Sequence, residues 1–223
     1  MREIVVDTET TGLDPADGHR IVEIAALELV NHVPTGRVFH RYVNPQRAMP
    51  DAARAIHGLS DVFLAQQETF DAVADGFLEF VGDDRLVIHN AGFDIAFINA
   101  ELALLGKAPL AMAFEDTLSL ARKRFPGAPA SLDALCKRFD IDNSAREKHG
   151  ARLDCELLAS VYLELIGGRQ PGLELVASRL AGGAAAAINR PVRPPRIFAA
   201  TLAELERHRA FLAKLKAPIW LEA

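Results

Sequence analysis

Near its N-terminus the chain runs an apolar strand straight into two acids. Ile4, Val5 and Val6 lead to Asp7 and Glu9 within Val-Val-Asp-Thr-Glu-Thr-Thr-Gly-Leu, residues 5–13. Side chains alternate across a β-strand, so Val5, Asp7 and Glu9 share one face. Two carboxylates side by side in apolar surroundings repel each other and resist losing water. A fold can keep them by setting a cation between them, and a hard divalent ion suits oxygen ligands. The alternative is a strand end at which both acids reach water.

The chain has 223 residues, 50% of them hydrophobic, which suits one substantial domain plus an appendage. No stretch approaches the ~20 uninterrupted apolar residues of a membrane span, so no membrane partner is expected. The N-terminus enters a strand without a charged-then-apolar leader, and no secretory signal is read. Cys136 and Cys155 fall in helical segments at no metal or disulfide spacing; they read as reduced, packed thiols of a cytoplasmic protein. The net charge of −5 is uneven: from Gly168 onward nine Lys/Arg stand against four Asp/Glu, a balance of +5, which leaves −10 for the residues before it. An acidic body is a poor generic binder of nucleic acid, whose affinity rests on cations meeting phosphates. If it handles nucleic acid, bound metal and a partner must supply the attraction.

Apolar runs over Arg2–Thr8, Ile21–Val30 and Gly36–Val43 read as three strands, with Asn31-His32 and Pro34 as turn material. Asp51–Val81 reads as helix in short pieces, and Arg85–His89 as a short buried strand. Phe93–Leu105 carries Phe97, Ile98, Leu102 and Leu105 at helical spacing. Ser131 can cap a helix over Leu132–Phe139, and Gly150–Ile166 forms another, closed by Gly167-Gly168. Strands first, then strand and helix alternating, predict an α/β fold with a mixed sheet and helices packed on it. Domain 1–168 is followed by a low-complexity, Pro-rich linker over 169–196. The last segment, 197–223, opens on the capping-box signature Thr201-Leu-Ala-Glu204 and continues an apolar stripe through Leu205, Leu212 and Leu215 to Trp220. One helix cannot bury such a stripe by itself; it docks on its own body or on a partner.

Three further residues extend the opening pair. Asp94 and Asp154 each stand at the head of a helical apolar stripe, where spacing turns them toward the buried face. Singly, each is also an acid favoured by a helix first turn. Four acids spread over three separate elements make coincidence less attractive. Oxygen-only ligands favour Mg²⁺ or Mn²⁺ over zinc. Two such ions ~3.5–4 Å apart can clamp the attacking and leaving oxygens of a phosphoryl displacement. His149 lies five residues before Asp154, beside Gly150, which leaves the backbone free to turn. Imidazole titrates near neutrality and can take a proton from an attacking water.

Asp7-Thr-Glu9, His89-Asn-Ala-Gly-Phe-Asp94 and His149-x4-Asp154 together resemble the three motifs of the DEDD exonuclease family, in its His-containing branch. The likeness is closer still to the proofreading subunits of bacterial replicative polymerases, through Asp116–Gly127, Ser131–Cys136 and Ile141–Ser144. It covers residues 1–168 and, more loosely, the tail. The resemblance implies a ribonuclease H-like mixed sheet and 3′-to-5′ removal of nucleotides from a single-stranded or frayed DNA end. It implies two divalent metals, Mg²⁺ or Mn²⁺, held by Asp7, Glu9, Asp94 and Asp154, with His149 as general base. Thr8, Thr10 and Leu13 would cradle the terminal nucleotide, with His57 opposite and Asp51 nearby. Asn90 and Phe93 would contact substrate, or else pack at a strand-to-helix turn. Gln170-Pro-Gly-Leu173-Glu-Leu175 resembles a sliding-clamp-binding peptide, and the C-terminal segment would bind the polymerase catalytic subunit. An RNA-trimming exonuclease of the same fold, or a bridge between polymerase and clamp, are the alternatives.

Overall fold

The computed structural model describes residues 1–144, 148–168 and 200–215. The chain divides into two compact units, Met1–Leu173 and Glu174–Ala223. In the first, five strands form one mixed sheet: β1 (Arg2–Thr10), β2 (Ile21–Val30), β3 (Val33–Tyr42), β4 (Arg85–Ile88) and β5 (Phe114–Asp116). Their order is β3-β2-β1-β4-β5. The first three are antiparallel neighbours, while β4 runs parallel to β1 and β5 parallel to β4.

Alternation along β1 sorts its side chains onto two layers. Ile4 and Val6, with Ile24, Leu86 and Ile88, pack against Phe70, Phe77 and Val81 of α3 (Phe70–Val81) and Phe97, Ile98 and Leu102 of α4 (Ala91–Leu104). Val5, with Ala25, Leu29 and Val87, faces the other way. It meets α5 (Thr117–Arg124), α6 (Leu132–Phe139) and α7 (Ala151–Leu165) through Ala121, Leu135, Cys155 and Leu158. Two short helices, α1 (Asp51–His57) and α2 (Asp61–Leu64), close a smaller cluster of Val22, Met49, Ala53 and Leu64.

Helix α7 lies across β1 and β2. The Cys155 sulfur sits 3.5 Å from the Ala25 carbonyl, and burial, with the nearby acids behind it, pushes the thiol well up, out of reach of thiolate chemistry. Further along, the Tyr162 hydroxyl donates to the fully buried Glu3 at 2.8 Å. These contacts fix where the first turn of α7, carrying Asp154, meets the sheet.

Several elements depart from the sequence reading. β3 begins at Val33, and Pro34 lies inside it; β3 is an edge strand, where a missing N–H breaks no ladder. Asn31 and His32 alone make the hairpin, both at positive φ, as a two-residue primed turn requires. β5, three residues long, and α5, largely polar, fall outside the sequence reading because neither offers a hydrophobic period. α4 starts at Ala91, two residues before the Phe93 of the sequence reading.

In the second unit, α8 (Leu202–Leu212) opens on the full capping box: the Thr201 hydroxyl accepts from Glu204 N and the Glu204 carboxylate accepts from Thr201 N. Leu205 and Leu215 are exposed. The linker over 169–196, the clamp-like Gln170, Leu173 and Leu175, and Trp220 lie outside the described residues.

Candidate active site

Sheet order decides where the acids go. β4 parallel to β1 brings the start of α4 beside the C-terminal half of β1, and α7 begins over the same edge. One cleft of about 300 Å³ results, lined by Asp7, Thr8, Glu9, His89, Phe93, Asp94, Ser131, Leu132, Asp133, His149 and Asp154. All four predicted acids and the predicted histidine are therefore gathered round one space. Asp94 and Asp154 are each 3% exposed, in the first turns of α4 and α7. The register of β1 on β2 slips just after Glu9, an irregularity of the kind that re-aims side chains beside functional sites.

Burial, then Asp94, Glu9, Asp154 and Glu23 in turn, hold the Asp7 carboxyl well above the ordinary carboxylate range. Burial lifts Asp94 to about 7, opposed by the Thr8 hydroxyl, which donates to Asp94 Oδ1 at 2.7 Å. Carboxylates that cannot all ionise together need a counter-cation. Ligand atoms of Glu9, His149 and Asp154 lie within 4.8 Å of one another. An all-carboxylate set flanked by one imidazole is the hard donor set that a divalent cation takes.

His149 sits at the rim, its side chain 49% exposed, with Nδ1 3.7 Å from Asp154 Oδ2. Its backbone N–H donates to Ile56 O at 3.3 Å, tying the segment before α7 to α1. Gly150 is extended, at φ −162°, a conformation open to any residue; the turning freedom expected of it is not used.

Behind the cleft, one carboxylate organises two helix starts. Asp116 Oδ1 accepts from the backbone N–H groups of Asn90 (3.0 Å), Ala91 (3.4 Å) and Leu118 (3.1 Å), and Oδ2 accepts from the Ser119 hydroxyl at 2.6 Å. Asp116 thus caps α5 and holds the first turn of α4, on which Asp94 stands. Asn90 takes the left-handed conformation there (φ 67°), which Asn tolerates better than most residues.

A second cavity of about 590 Å³ shares Thr8, Glu9 and Phe93 with the cleft. It also collects Thr10, Leu13 and His57, beside Thr11, Gly12, Asp17, His19, Pro50, Ala52, Ala53 and Ile56. The Thr10 hydroxyl donates to Gly12 O at 2.6 Å, and Leu13 stands 84% exposed at the mouth. His57 is buried; Leu59 N–H donates to its Nδ1 at 3.1 Å, and burial holds its pKa below the usual histidine range. The Thr10 backbone beside it favours the charged ring, but no aligned partner meets Nε2. Asp51 is exposed at the start of α1; its neighbours Pro50 and Ala52 line the cavity and it does not. Asn90 lines neither space; its backbone N–H donates to Asp116 at the head of α4.

Sequence reasoning passed over Asp133, Ser131 and Leu132 in the cleft and His19 and Ile56 in the cavity. Ser131 carried a signal only as a helix cap, a role it does fill by accepting from Ala134 N. His19 and Ile56 sit in local sequence that marks neither.

The model of the exonuclease family matches residues 4–162. Over 222 residues the chain is 49% identical to the DNA polymerase III subunit epsilon of Rickettsia felis, covering 96% of this chain and 97% of that protein. Against the subunit epsilon of Escherichia coli K12 it is 48% identical over 176 residues, 75% of this chain and 72% of that one. Among solved structures, Exonuclease X in complex with 5′ overhanging duplex DNA superposes with a TM-score of 0.60 at 25% identity, over 74% of this chain and 90% of that one. The nuclease domain of 3′hExo, a DEDDh family member bound to rAMP, gives 0.63 at 18% identity over 74% and 91%, which is likeness of fold. With a ribonuclease H-like sheet, acids converging on one cleft, and a relative matched over nearly its whole length, the chain belongs to the exonuclease family, in the branch of the DNA polymerase III epsilon subunits.

Proposed function

We propose that this 3′-to-5′ exonuclease proofreads for a bacterial replicase, and that Asp7, Glu9, Asp94 and Asp154 hold two divalent ions, Mg²⁺ or Mn²⁺, with His149 as general base. When bound, such ions supply charge neutralisation to an in-line displacement at phosphorus. The protein's part is position and proton transfer. Thr8 holds Asp94 in place through its 2.7 Å hydrogen bond. His149, half-exposed at the rim, takes the proton of the attacking water. Thr8, Thr10, Leu13, His57 and Phe93 seat the terminal nucleoside in the adjoining cavity. Asp51 and Asn90 act at its margin.

The single observation that carries this reading is the convergence of four acids from three elements on one cleft. The acidic body fits a division of labour in which the polymerase delivers a frayed 3′ end and selectivity lies in the cheaper unstacking of a mispaired terminus. The tether is the segment 197–223, which includes α8, and Gln170, Leu173 and Leu175 engage the sliding clamp. The place of work is then the bacterial cytoplasm; among the described residues no helix is long and apolar enough to cross a membrane.

The test is degradation of a 5′-labelled primer with a mispaired 3′ end, with Mg²⁺ and with chelator. The expected result is metal-dependent release of nucleoside 5′-monophosphates, abolished in Asp7→Ala with the fold intact. Metal-dependent hydrolysis surviving in that variant overturns the metal assignment. An RNA oligomer degraded faster than DNA turns the reading toward RNA trimming.

A further inference from the structure

The cavity beside the cleft contains a second imidazole, from the connection between β1 and β2, and it is seated with unusual care. Thr11 is 1% exposed, and its Oγ1 accepts the Arg20 backbone N–H at 3.0 Å. Its hydroxyl proton has one acceptor among the described residues, His19 Nδ1 at 3.1 Å. The hydrogen-bond network therefore assigns the neutral ring its proton on Nε2. The ring packs against Gly12: a Cβ there would come within 2.3–2.4 Å of three ring atoms, so no other residue fits without moving the histidine. Among the described residues nothing pairs with His19 Nε2. His57 offers a second imidazole from α1, with Nδ1 occupied by a backbone N–H and Nε2 buried beside the Thr10 backbone. Both rings line one cavity.

We infer that His19 is a substrate-contacting residue, donating its Nε2–H to an uncharged acceptor on the 3′-terminal nucleoside. This rests on the reading of the cavity as the seat of that nucleoside. The lining argues for a nucleoside over a phosphate. Ala52, Ala53 and Ile56 offer apolar surface, whereas Glu9 and Asp17 oppose an anion. A donor is what a sequence-independent enzyme needs here, since every base carries an acceptor on its minor-groove edge, N3 of a purine or O2 of a pyrimidine. A second uncharged acceptor shared by every 3′-terminal nucleoside, and the one nearest the scissile end, is the 3′-hydroxyl oxygen.

The experiment uses the full chain on primers ending in dA, in 3-deaza-dA or in a 3′-deoxy nucleotide, with wild type, His19→Ala and His19→Gln. Wild type should disfavour one of the two analogues, and which one identifies the acceptor. His19→Ala should lower kcat/KM on the dA end about tenfold, as expected for one hydrogen bond to substrate, with no loss on the disfavoured analogue. His19→Gln, which keeps a donor, should recover part of the discrimination. A purely structural histidine would lower rates equally on all three ends. That result, or a His19→Ala enzyme that discriminates as wild type does, or a wild type indifferent to both analogues, overturns the inference. A wild type that degrades none of the DNA ends instead refutes the underlying reading of the site.

Discussion

Replacing Asp94 by Asn should make the metal-free protein more stable while destroying its activity. Asn keeps an oxygen for the Thr8 hydroxyl, so the 2.7 Å bond survives and the charge is what is lost. In the folded chain Asp94 keeps its proton up to about 7, whereas unfolded it releases it near 3.8. Below the lower value both states are protonated and no penalty exists. Between the two the unfolded chain binds fewer protons, so stability falls as pH rises and the full penalty stands above the upper value. At ~1.4 kcal/mol per unit the shift corresponds to at most about 4 kcal/mol near pH 8 and less than half of that near pH 5. Neighbouring Asp7 is pushed up in part by Asp94 and relaxes when that charge is lost, a further gain of the same sign. For a domain of this size a gain of about 4 kcal/mol means a Tm rise of about 8–16 °C at pH 8 in chelator. The assay is thermal unfolding of both proteins at each pH, with EDTA and with excess Mg²⁺. Added Mg²⁺ should reverse the order, because it stabilises the fold that binds it better. An Asn variant no more stable than wild type in EDTA at pH 8, or a gain of equal size at both pH values, would refute the argument.

Thr8→Val removes the hydroxyl that opposes the upward shift of Asp94; the Mg²⁺ needed for half-maximal rate should rise about tenfold, read by metal titration of activity. Glu101 is 3% exposed and accepts two hydrogen bonds from Arg20 and one from Ile21 N; Glu101→Ala should cost about 3 kcal/mol, seen in denaturant unfolding with activity at 25 °C retained. Deleting residues 197–223 should abolish binding to the polymerase catalytic subunit in calorimetry and leave hydrolysis of a free oligonucleotide unchanged. Unaltered binding would show that the tether lies elsewhere.

What the sequence determined by itself is whatever short-range geometry controls. Alternation on β1 set Val5, Asp7 and Glu9 on one face, and helical spacing set Asp94 and Asp154 on buried first turns, because periods of 2 and 3.6 are properties of local backbone. Ser131 and Thr201 declared their helices for the same reason: a cap is made within four residues. Tertiary structure alone decided the rest. That β4 lies beside β1, so that residues 87 positions apart share a cleft, is a fact of sheet order. So is the joining of two helix starts by Asp116, and the seating of His19 on Gly12, which no periodicity announces. β5 needed its neighbour to exist at all, since three residues hold a strand only when a ladder is already there. Local sequence writes the faces of the elements; only packing brings those faces together, because the energy that selects one arrangement is spread over contacts distant along the chain.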